Sequence, residues 1–311
     1  VNPLRGQNNV QGAADMGCQP HQGAGYYEVA DEKNQKFYTE KYGVTHPTKP
    51  GLKIPEMFEA AINKELKGLW IIGEDIVQTD PDSAHVVEAM NSLELLVVQE
   101  IFMSETAKLA TVVLPGTTFL EKSGTFTNGE RRVQKVNAAV LPRKGCKTDG
   151  EIIVDMINHL GYQQAPYTAN TMLEEISQVV PFFAGITWQN LGLDGLQWPV
   201  TKDGIDTKIL HENTFKRGLG KFHFFEFEES QEVLKNSKQF PFILTTSRNL
   251  EHYNAGTMTR RTSNEEIVSE DVLLINTQDA AEKNITTDSQ VRLFSARGEI
   301  ELKAQVSDKV K

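Results

Sequence analysis

The segment from Arg5 to Gly17, RGQNNVQGAADMG, concentrates side chains that can hold a polar ligand. Arg5 offers a planar guanidinium group that fits a carboxylate or a phosphate through two parallel hydrogen bonds. Gln7 and the asparagines after it carry carboxamides, which both donate and accept hydrogen bonds. The glycines let the backbone approach a ligand closely. Clustered Asn, Gly and Gln are also ordinary turn residues, so the segment is either a ligand-binding loop or a plain surface turn.

Polar residues also stand at the ends of three apolar runs, LWII, ELLVV and TVVLP. A continuous apolar run is typical of a strand buried in a parallel sheet. Because ligands of parallel α/β sheets bind beyond the carboxyl ends of the strands, these polar residues are candidates for one binding site. Acids at strand ends also cap helices, which is the alternative, and the sequence lacks the GxGxxG pattern of an ordinary NAD site. The candidates are Gly73, Glu74, Asp75, Thr79, Gln99, Glu100 and Gly116.

Two further segments, LEKSGTFTNGERRVQ and SRNLEHYNAGTMTRR, are rich in polar groups and show no core pattern. Taken alone, the first is an exposed hairpin that turns near Asn128 and Gly129 and carries solvated arginines. The second is either a surface loop or a binding loop, since it holds many planar hydrogen-bonding groups. These groups belong to Arg248, Asn249, His252, Tyr253 and Asn254.

The elements that must position these residues follow from hydrophobic spacing. PEMFEAAINKEL has the spacing of an amphipathic helix, and SETAKLA predicts a short helix between the second and third strands. Asp80 is expected to cap the helix after the first strand, with Pro81 at its first position, and Asp149 can cap a later helix. Strands that alternate with helices in this way predict an α/β fold with a doubly wound parallel sheet.

The sequence pattern predicts three regions along the chain. Residues 1–119 are expected to form the α/β domain, and residues 120–238 an irregular α+β connection with a helix in TMLEEISQVV and a strand in GKFHFFEFEE. Residues 239–311 begin with the strand-like FPFILTTSR and continue with short strands and turns. This pattern predicts the truncated start of a β-barrel.

Composition bounds the function classes. The 311 residues carry a net charge of -10, which argues against a nucleic-acid partner. No apolar run approaches the length of about 18 residues that a membrane helix needs, so a soluble, cytoplasmic protein without a membrane span is expected. Cys18 and Cys146 are too few for a disulfide framework or an iron-sulfur cluster held by this chain alone. No metal site is predicted, because no His/Cys cluster has ligand spacing.

Five stretches carry a family resemblance in one order: RGQNNVQGAADMG, GEDIVQTD, VVQEIFMSETAKLATVVLPG, FTNGERRVQ and LTTSRNLEHYNAGTMTRR. They resemble the catalytic subunit of molybdopterin-dependent formate dehydrogenases, within the molybdopterin oxidoreductase family. The resemblance spans nearly the whole chain, although residues 20–65 and 165–238 match loosely. Where many relatives read A-D-V-V-L-P, this chain has Ala110 and Thr111 before VVLP, which leaves the role of that acid in doubt.

The resemblance implies a bis-molybdopterin guanine dinucleotide cofactor carrying molybdenum or tungsten. By resemblance, Asp75 and Thr79 bind the guanine or ribose of one arm, and the other strand-end residues line that arm. Arg5 would hold the carboxylate of formate and orient its C-H bond. The hairpin would approach the pterin, and residues 239–311 would be the dinucleotide-binding barrel. Further cofactor contacts are expected from Gln7, Asp149, Arg248, Asn249, His252, Tyr253 and Asn254.

The family also has parts that this sequence does not contain. They include the ligands of a 4Fe-4S cluster and the Cys or selenocysteine that binds the metal, so we expect a C-terminal piece of a longer polypeptide that is inactive alone. Expected partners are formate and electron-transfer subunits or domains with iron-sulfur clusters. Two alternatives stay open: another molybdopterin oxidoreductase, such as a nitrate reductase, or a non-catalytic scaffold as in NADH dehydrogenase.

Overall fold

A computed structural model describes residues 4–236 and 238–310, and the chain divides into two compact units, Val1–Leu219 and Gly220–Lys311. No helix of the described part combines the length and the apolar character that crossing a bilayer requires.

The helices and strands are numbered in chain order. The helices are α1 Val10–Asp15, α2 Glu32–Tyr42, α3 Ile54–Ile62, α4 Ile76–Thr79, α5 Ser83–Ser92, α6 Glu105–Lys108, α7 Asp149–His159, α8 Ala169–Val179, α9 Gln231–Asn236, α10 Asn264–Ile267 and α11 Thr277–Lys283. The strands are β1 Gln22–Gly23, β2 Tyr27–Glu28, β3 Gly68–Ile72, β4 Leu95–Glu100, β5 Val112–Pro115, β6 Gly124–Thr127, β7 Arg132–Val136, β8 Leu196–Gln197, β9 Val272–Ile275, β10 Gln290–Phe294 and β11 Glu299–Val306.

The three apolar runs form a parallel sheet in the order β3-β4-β5, as the sequence predicts. One face of the sheet packs against α3 and α5, where Ala61, Val86 and Ala89 meet Leu96 and Val98 in one buried cluster. Full burial of a Val or Leu side chain stabilises the fold by about 1.5–3 kcal/mol. This core therefore fixes the register of β4, and with it the position of the residues at its carboxyl end.

Two predicted helix caps are wrong. Asp80 ends α4, and α5 is capped instead by Asp82, whose side chain accepts a hydrogen bond from the His85 backbone N-H at 3.3 Å. For α7 the cap is Thr148, because its hydroxyl and the Glu151 carboxylate bond each other's backbone N-H groups in a capping box. The side chain of Asp149 is left available for other contacts.

The hairpin prediction is confirmed. Strands β6 and β7 pair antiparallel, and β8 joins the outer side of β7. The backbone of Arg131 is left-handed, with φ 70°, at the turn between the two strands. Beneath this sheet lies a second buried cluster, which draws on α8 and the segment after it. Its members are Val133, Leu173, Val179, Val180, Phe183, Ile186, Leu191 and Val200.

In the second unit, β10 pairs antiparallel with β11, and β11 pairs parallel with β9. The strands predicted in GKFHFFEFEE and FPFILTTSR are wrong: neither segment has regular structure, and Phe222 is fully exposed. A strand exists only through pairing, and neither stretch has a partner strand within residues 4–236 and 238–310. The β-barrel stays a prediction, since three strands do not close.

Candidate functional site

The carboxyl ends of β3, β4 and β5 converge through backbone hydrogen bonds. The N-H of Gly73 donates to the Gln99 carbonyl at 2.9 Å, and the N-H of Gly116 donates to the Glu100 carbonyl at 3.1 Å. We call the group formed by Gly73, Asp75, Gln99, Glu100, Gly116 and Asp149 the strand-end site. Residues from all three strand ends thus meet at one edge of the sheet, as predicted.

Asp75 is held by the start of α6. It is 6% exposed, and its Oδ1 accepts hydrogen bonds from both the backbone N-H and the hydroxyl of Thr106, at 2.9 and 2.6 Å. Its Oδ2 is buried and has no hydrogen-bond partner among the described residues. Because an unsatisfied buried polar atom costs about 1–3 kcal/mol, this oxygen is suited to a donor on a ligand.

A chain of three side chains crosses the middle of the site. The Gln99 amide nitrogen donates to Asp149 Oδ1 at 2.7 Å, and the Lys122 ammonium pairs with Asp149 Oδ2. The Gln99 side-chain oxygen is buried and has no partner within the described part of the chain. The same is true of the hydroxyl of Thr117, which follows Gly116. Gln99 therefore presents an acceptor without a donor, as Asp75 does.

The charge of the site is concentrated in carboxylates. Burial raises the pKa of Glu100, backbone hydrogen bonds from Ile101 and Phe102 act in the opposite direction, and the charges of Asp75 and Glu74 raise it further. At the exposed rim, the Thr79 hydroxyl donates to Glu74 at 2.7 Å. A site with this charge suits the N-H and O-H donors of a base or a ribose better than a phosphate.

The two glycines leave room beside these groups. Gly73 has φ +64°, and a Cβ there would meet nothing within 4 Å. At Gly116 a Cβ would lie 3.6 Å from Asp149 Oδ1 and 3.9 Å from the Gln99 Cγ. A side chain at Gly116 would therefore occupy the space next to the two polar groups at the centre of the site.

The N-terminal segment forms a separate feature. Arg5 and Gln7 are exposed and precede α1. Asn9, with φ 58°, anchors the segment because its Oδ1 accepts from the Thr127 backbone N-H at 2.9 Å. No contact in the described structure joins Arg5 or Gln7 to the strand-end site, so their predicted roles remain predictions.

The segment from Arg5 to Gly17 also contains a buried carboxylate, Asp15, which was not among the predicted site residues. Asp15 is fully buried, and it accepts hydrogen bonds from Gln11 at 2.8 Å, from Tyr26 at 2.7 Å and from the Trp198 indole at 2.8 Å. Burial raises the pKa of Asp15, while the three hydrogen bonds and the charge of Arg5 act in the opposite direction. Gln11 is four positions away in the same helix, but Tyr26 and Trp198 are 11 and 183 positions away, so no local pattern marks the full set of donors.

In the second unit, His252 is 5% exposed and organises the predicted binding loop. Its Nε2 lies 2.6 Å from the Val268 carbonyl and donates to it, so Nδ1 is left to accept from the Thr259 hydroxyl at 3.2 Å. Both ring nitrogens of His252 thus have partners within the chain. Other members of the loop remain at the surface, where Arg248 donates to Asn254 Oδ1 at 3.1 Å and Tyr253 is 49% exposed.

The Asn249 carboxamide shapes the same loop, since its oxygen accepts from the Glu251 backbone N-H at 3.2 Å. The structure therefore groups the predicted residues into three sets: the strand-end site, the N-terminal segment and the loop of the second unit. Three partners of the strand-end site were not predicted from the sequence, namely Thr106, Thr117 and Lys122.

Comparison with known proteins is consistent with this arrangement. Residues 4–159 match the family described as Molybdopterin oxidoreductase, and residues 242–311 match the Molydopterin dinucleotide binding domain. This chain belongs to the molybdopterin oxidoreductase family. The second match covers the loop around His252, and the first covers the whole strand-end site.

Several formate dehydrogenases are similar along the whole chain. An F420-dependent formate dehydrogenase subunit alpha from Methanocaldococcus jannaschii is 44% identical over 317 residues, which cover 100% of this chain and 46% of that protein. Formate dehydrogenase H from Escherichia coli is 35% identical, covering 99% of this chain and 44% of its own length. The chain thus spans less than half the length of these curated relatives.

A solved structure shows the same fold. Acetylene hydratase from Pelobacter acetylenicus superposes with a TM-score of 0.60, covering 88% of this chain and 40% of its own, at 16% sequence identity. The likeness concerns the fold alone. Together with the parallel sheet, it confirms the predicted α/β fold class of this family.

Proposed function

We propose that this chain is part of a formate dehydrogenase and that its strand-end site binds one guanine nucleotide arm of a bis-molybdopterin guanine dinucleotide. One observation carries the proposal: Asp75 Oδ2 and the Gln99 side-chain oxygen are buried acceptors without partners in the described structure. The Watson-Crick edge of guanine carries two neighbouring donors, the N1-H and the exocyclic amine, so it matches a pair of acceptors.

The chemistry of each residue then follows. The Asp75 carboxylate forms a charge-assisted hydrogen bond to the base, worth about 1.5–3 kcal/mol. Gln99 contributes a neutral acceptor beside it, and the open space at Gly73 and Gly116 admits the nucleotide. Thr79 and Glu74, at the exposed rim, accept from the ribose hydroxyls. Gln7, Glu100 and Asp149 are further proposed cofactor contacts of the first unit. The loop of the second unit is proposed to contact the cofactor through Arg248, Asn249, His252, Tyr253 and Asn254.

The similarity to formate dehydrogenase alpha subunits supports formate as the substrate. When bound, the cofactor with molybdenum or tungsten supplies the two-electron oxidation of formate to carbon dioxide, with electrons passing to a 4Fe-4S cluster and partner subunits outside this chain. The residues of this chain bind the cofactor and orient the formate. We place the whole protein in the cytoplasm, because two free cysteines, Cys18 and Cys146, fit a reducing compartment.

Arg5 is the residue that we propose to hold formate. Its guanidinium is exposed, and Arg5 is the only cationic residue in the sequence of the segment from Arg5 to Gly17. Two parallel hydrogen bonds to the carboxylate would fix the direction of the C-H bond, which is a contribution of positioning and electrostatics. A lysine retains the charge but lacks the planar fork.

The test is steady-state formate oxidation by the full-length protein, normalised to its molybdenum or tungsten content. Arg5→Lys should lower kcat, and Arg5→Ala should lower kcat and raise KM, together reducing kcat/KM by about 100-fold, since a bidentate charged contact is lost. Arg217→Ala, which removes another exposed arginine of the same unit, serves as the control.

Unchanged kcat/KM in Arg5→Ala would contradict the role of Arg5. A metal-loaded wild type that reduces nitrate but does not oxidise formate would replace formate dehydrogenase by the nitrate reductase alternative. A full-length protein without molybdenum or tungsten, purified under conditions in which relatives are loaded, would identify a scaffold.

A further inference from the structure

We propose that Lys122 is a positioning residue that determines which end of the Gln99 carboxamide faces the ligand. The inference rests on the proposed binding of a guanine nucleotide at the strand-end site and assigns its base preference to a residue outside the set that contacts the base. Lys122 follows the 3-10 helix Phe119–Glu121 and reaches the site from that segment.

The contacts of Lys122 are built into the edge of the sheet. Its ammonium pairs with Asp149 Oδ2 and also donates to the Thr117 carbonyl at 3.3 Å. Both side chains of the ion pair are partly shielded, with 28% of Lys122 and 33% of Asp149 exposed. The ammonium therefore ties the first residue of α7 to the segment that follows β5.

This tie orients Gln99. A carboxylate paired with an ammonium accepts hydrogen bonds and has none to donate, so it takes the NH₂ end of the Gln99 carboxamide, as observed at 2.7 Å. The oxygen end must then point away from Asp149, and it is this oxygen that is buried without a partner in the described structure. Lys122 thus acts on the ligand through Asp149 and Gln99.

The orientation has a consequence for base selection. With its oxygen outward, Gln99 stands with Asp75 as a pair of acceptors that suits the two donors of guanine. Adenine offers one donor and one acceptor on the same edge, so it leaves one buried acceptor unsatisfied. If Gln99 turned over, its NH₂ group would oppose a donor of guanine, and the preference for guanine would be lost.

Removal of Lys122 should permit that turn. Without the ammonium, the Asp149 carboxylate is no longer held to the Thr117 carbonyl, so it can rotate away from Gln99 and release the NH₂ end of the carboxamide. Lys122→Met should lower the affinity for GMP about tenfold and leave the affinity for AMP nearly unchanged, the size expected for one lost hydrogen bond.

The experiment measures GMP and AMP binding by isothermal titration calorimetry on the full-length protein, prepared without cofactor from a host unable to make it. Lys122→Arg keeps the charge and should restore most of the preference for GMP. Lys147→Met is the matched control, because Lys147 makes a comparable ion pair with Asp155 of the same helix, away from Gln99. Its GMP-to-AMP affinity ratio should equal that of the wild type.

The outcomes separate the two proposals. A wild type that prefers GMP, with Lys122→Met showing the same ratio, overturns the role of Lys122 and leaves the proposed nucleotide site intact. A wild type without preference for GMP overturns the nucleotide site and the inference together. If the thermal unfolding curve shows that Lys122→Met does not fold, Lys122→Ala, whose side chain cannot reach Asp149 or the Thr117 carbonyl, replaces it with the same expected loss of preference.

Discussion

At the scale of single residues, Asp75 and Gln99 each have one end of the side chain hydrogen-bonded within the protein and one oxygen without a partner in the described structure. The backbone N-H and the hydroxyl of Thr106 both donate to Asp75 Oδ1, and Asp75 Oδ2 has no hydrogen-bond partner among the described residues. In the same way, Asp149 accepts from the NH₂ end of the Gln99 carboxamide, and the Gln99 oxygen has no partner in the described structure. Such half-satisfied groups are costly in a folded protein, and they are expected where a ligand completes them.

Asp15 allows a prediction about pH. Because burial raises its pKa above the ordinary value of 3.8, the folded state binds this proton more readily than the unfolded state. The carboxyl group therefore contributes stability that is fully present below its unfolded pKa and is lost as the pH rises through its folded pKa. Asn at this position does not titrate.

The free energy of unfolding of the wild type, minus that of Asp15→Asn, should accordingly be largest below the ordinary pKa of 3.8 and fall as the pH rises above it. Urea unfolding at several pH values measures this difference. Asp203→Asn is the control, because it removes a carboxylate at an exposed position. A difference that stays constant or grows with pH would refute the assignment.

At the level of residues, the sequence predicted positions where the signal was local. Asp75, Gln99 and Glu100 lie at one edge of the sheet because each follows or ends an apolar run and the strand ends of a parallel sheet meet, while their binding roles stay predictions. Thr106 and Lys122 were missed because they stand 31 positions from Asp75 and 27 positions from Asp149. Their contacts depend on folding and leave no spacing to detect.

At the scale of elements, the loop around His252 depends on a buried histidine. Its two ring nitrogens bond the Val268 carbonyl and the Thr259 hydroxyl, and the same hydroxyl accepts from the Tyr253 N-H at 3.1 Å. His252 therefore sets the geometry of the predicted cofactor loop through hydrogen bonds inside the chain.

His252→Ala should destabilise the second unit by about 1–3 kcal/mol, since buried partners lose their hydrogen bonds. It should also lower the metal and pterin content of the full-length protein. Urea unfolding and elemental analysis measure the two effects, with His223→Ala, an exposed histidine of the same unit, as the control. Unchanged stability and unchanged cofactor content in His252→Ala would show that the loop is only surface.

Element prediction was reliable for buried strands and weak for caps and unpaired strands. The runs of β3, β4 and β5 are apolar throughout, which leaves few alternatives to burial. The cap of α7 moved from Asp149 to Thr148 because Glu151 completes a capping box only with Thr148. Alternating aromatics in GKFHFFEFEE express strand propensity, but propensity without a pairing partner does not make a strand.

At the scale of the whole molecule, the two units carry the two family matches, residues 4–159 in the first and 242–311 in the second. The predicted boundary at residue 119 stays a prediction, and the predicted connection of residues 120–238 extends across the end of the first unit at Leu219. Because the chain spans 44–46% of the length of these formate dehydrogenases, their activity stays a proposal for this chain.

The most direct test of the central claim is the guanine nucleotide content of the purified full-length protein, measured by chromatography after acid release and compared between wild type and Asp75→Asn. Asn keeps the size of Asp75 and an acceptor for Thr106, but it turns an NH₂ group toward the donors of the base. Asp82→Asn, at the cap of α5, is the control.

We expect close to full guanine nucleotide per protein chain in the wild type and in Asp82→Asn, and a clear loss per protein chain in Asp75→Asn after extended dialysis, since the exchanged contact is worth about 1.5–3 kcal/mol. Thermal unfolding confirms that both variants are folded. Equal guanine nucleotide content in wild type and Asp75→Asn would contradict the claim that the edge of the parallel sheet holds the base.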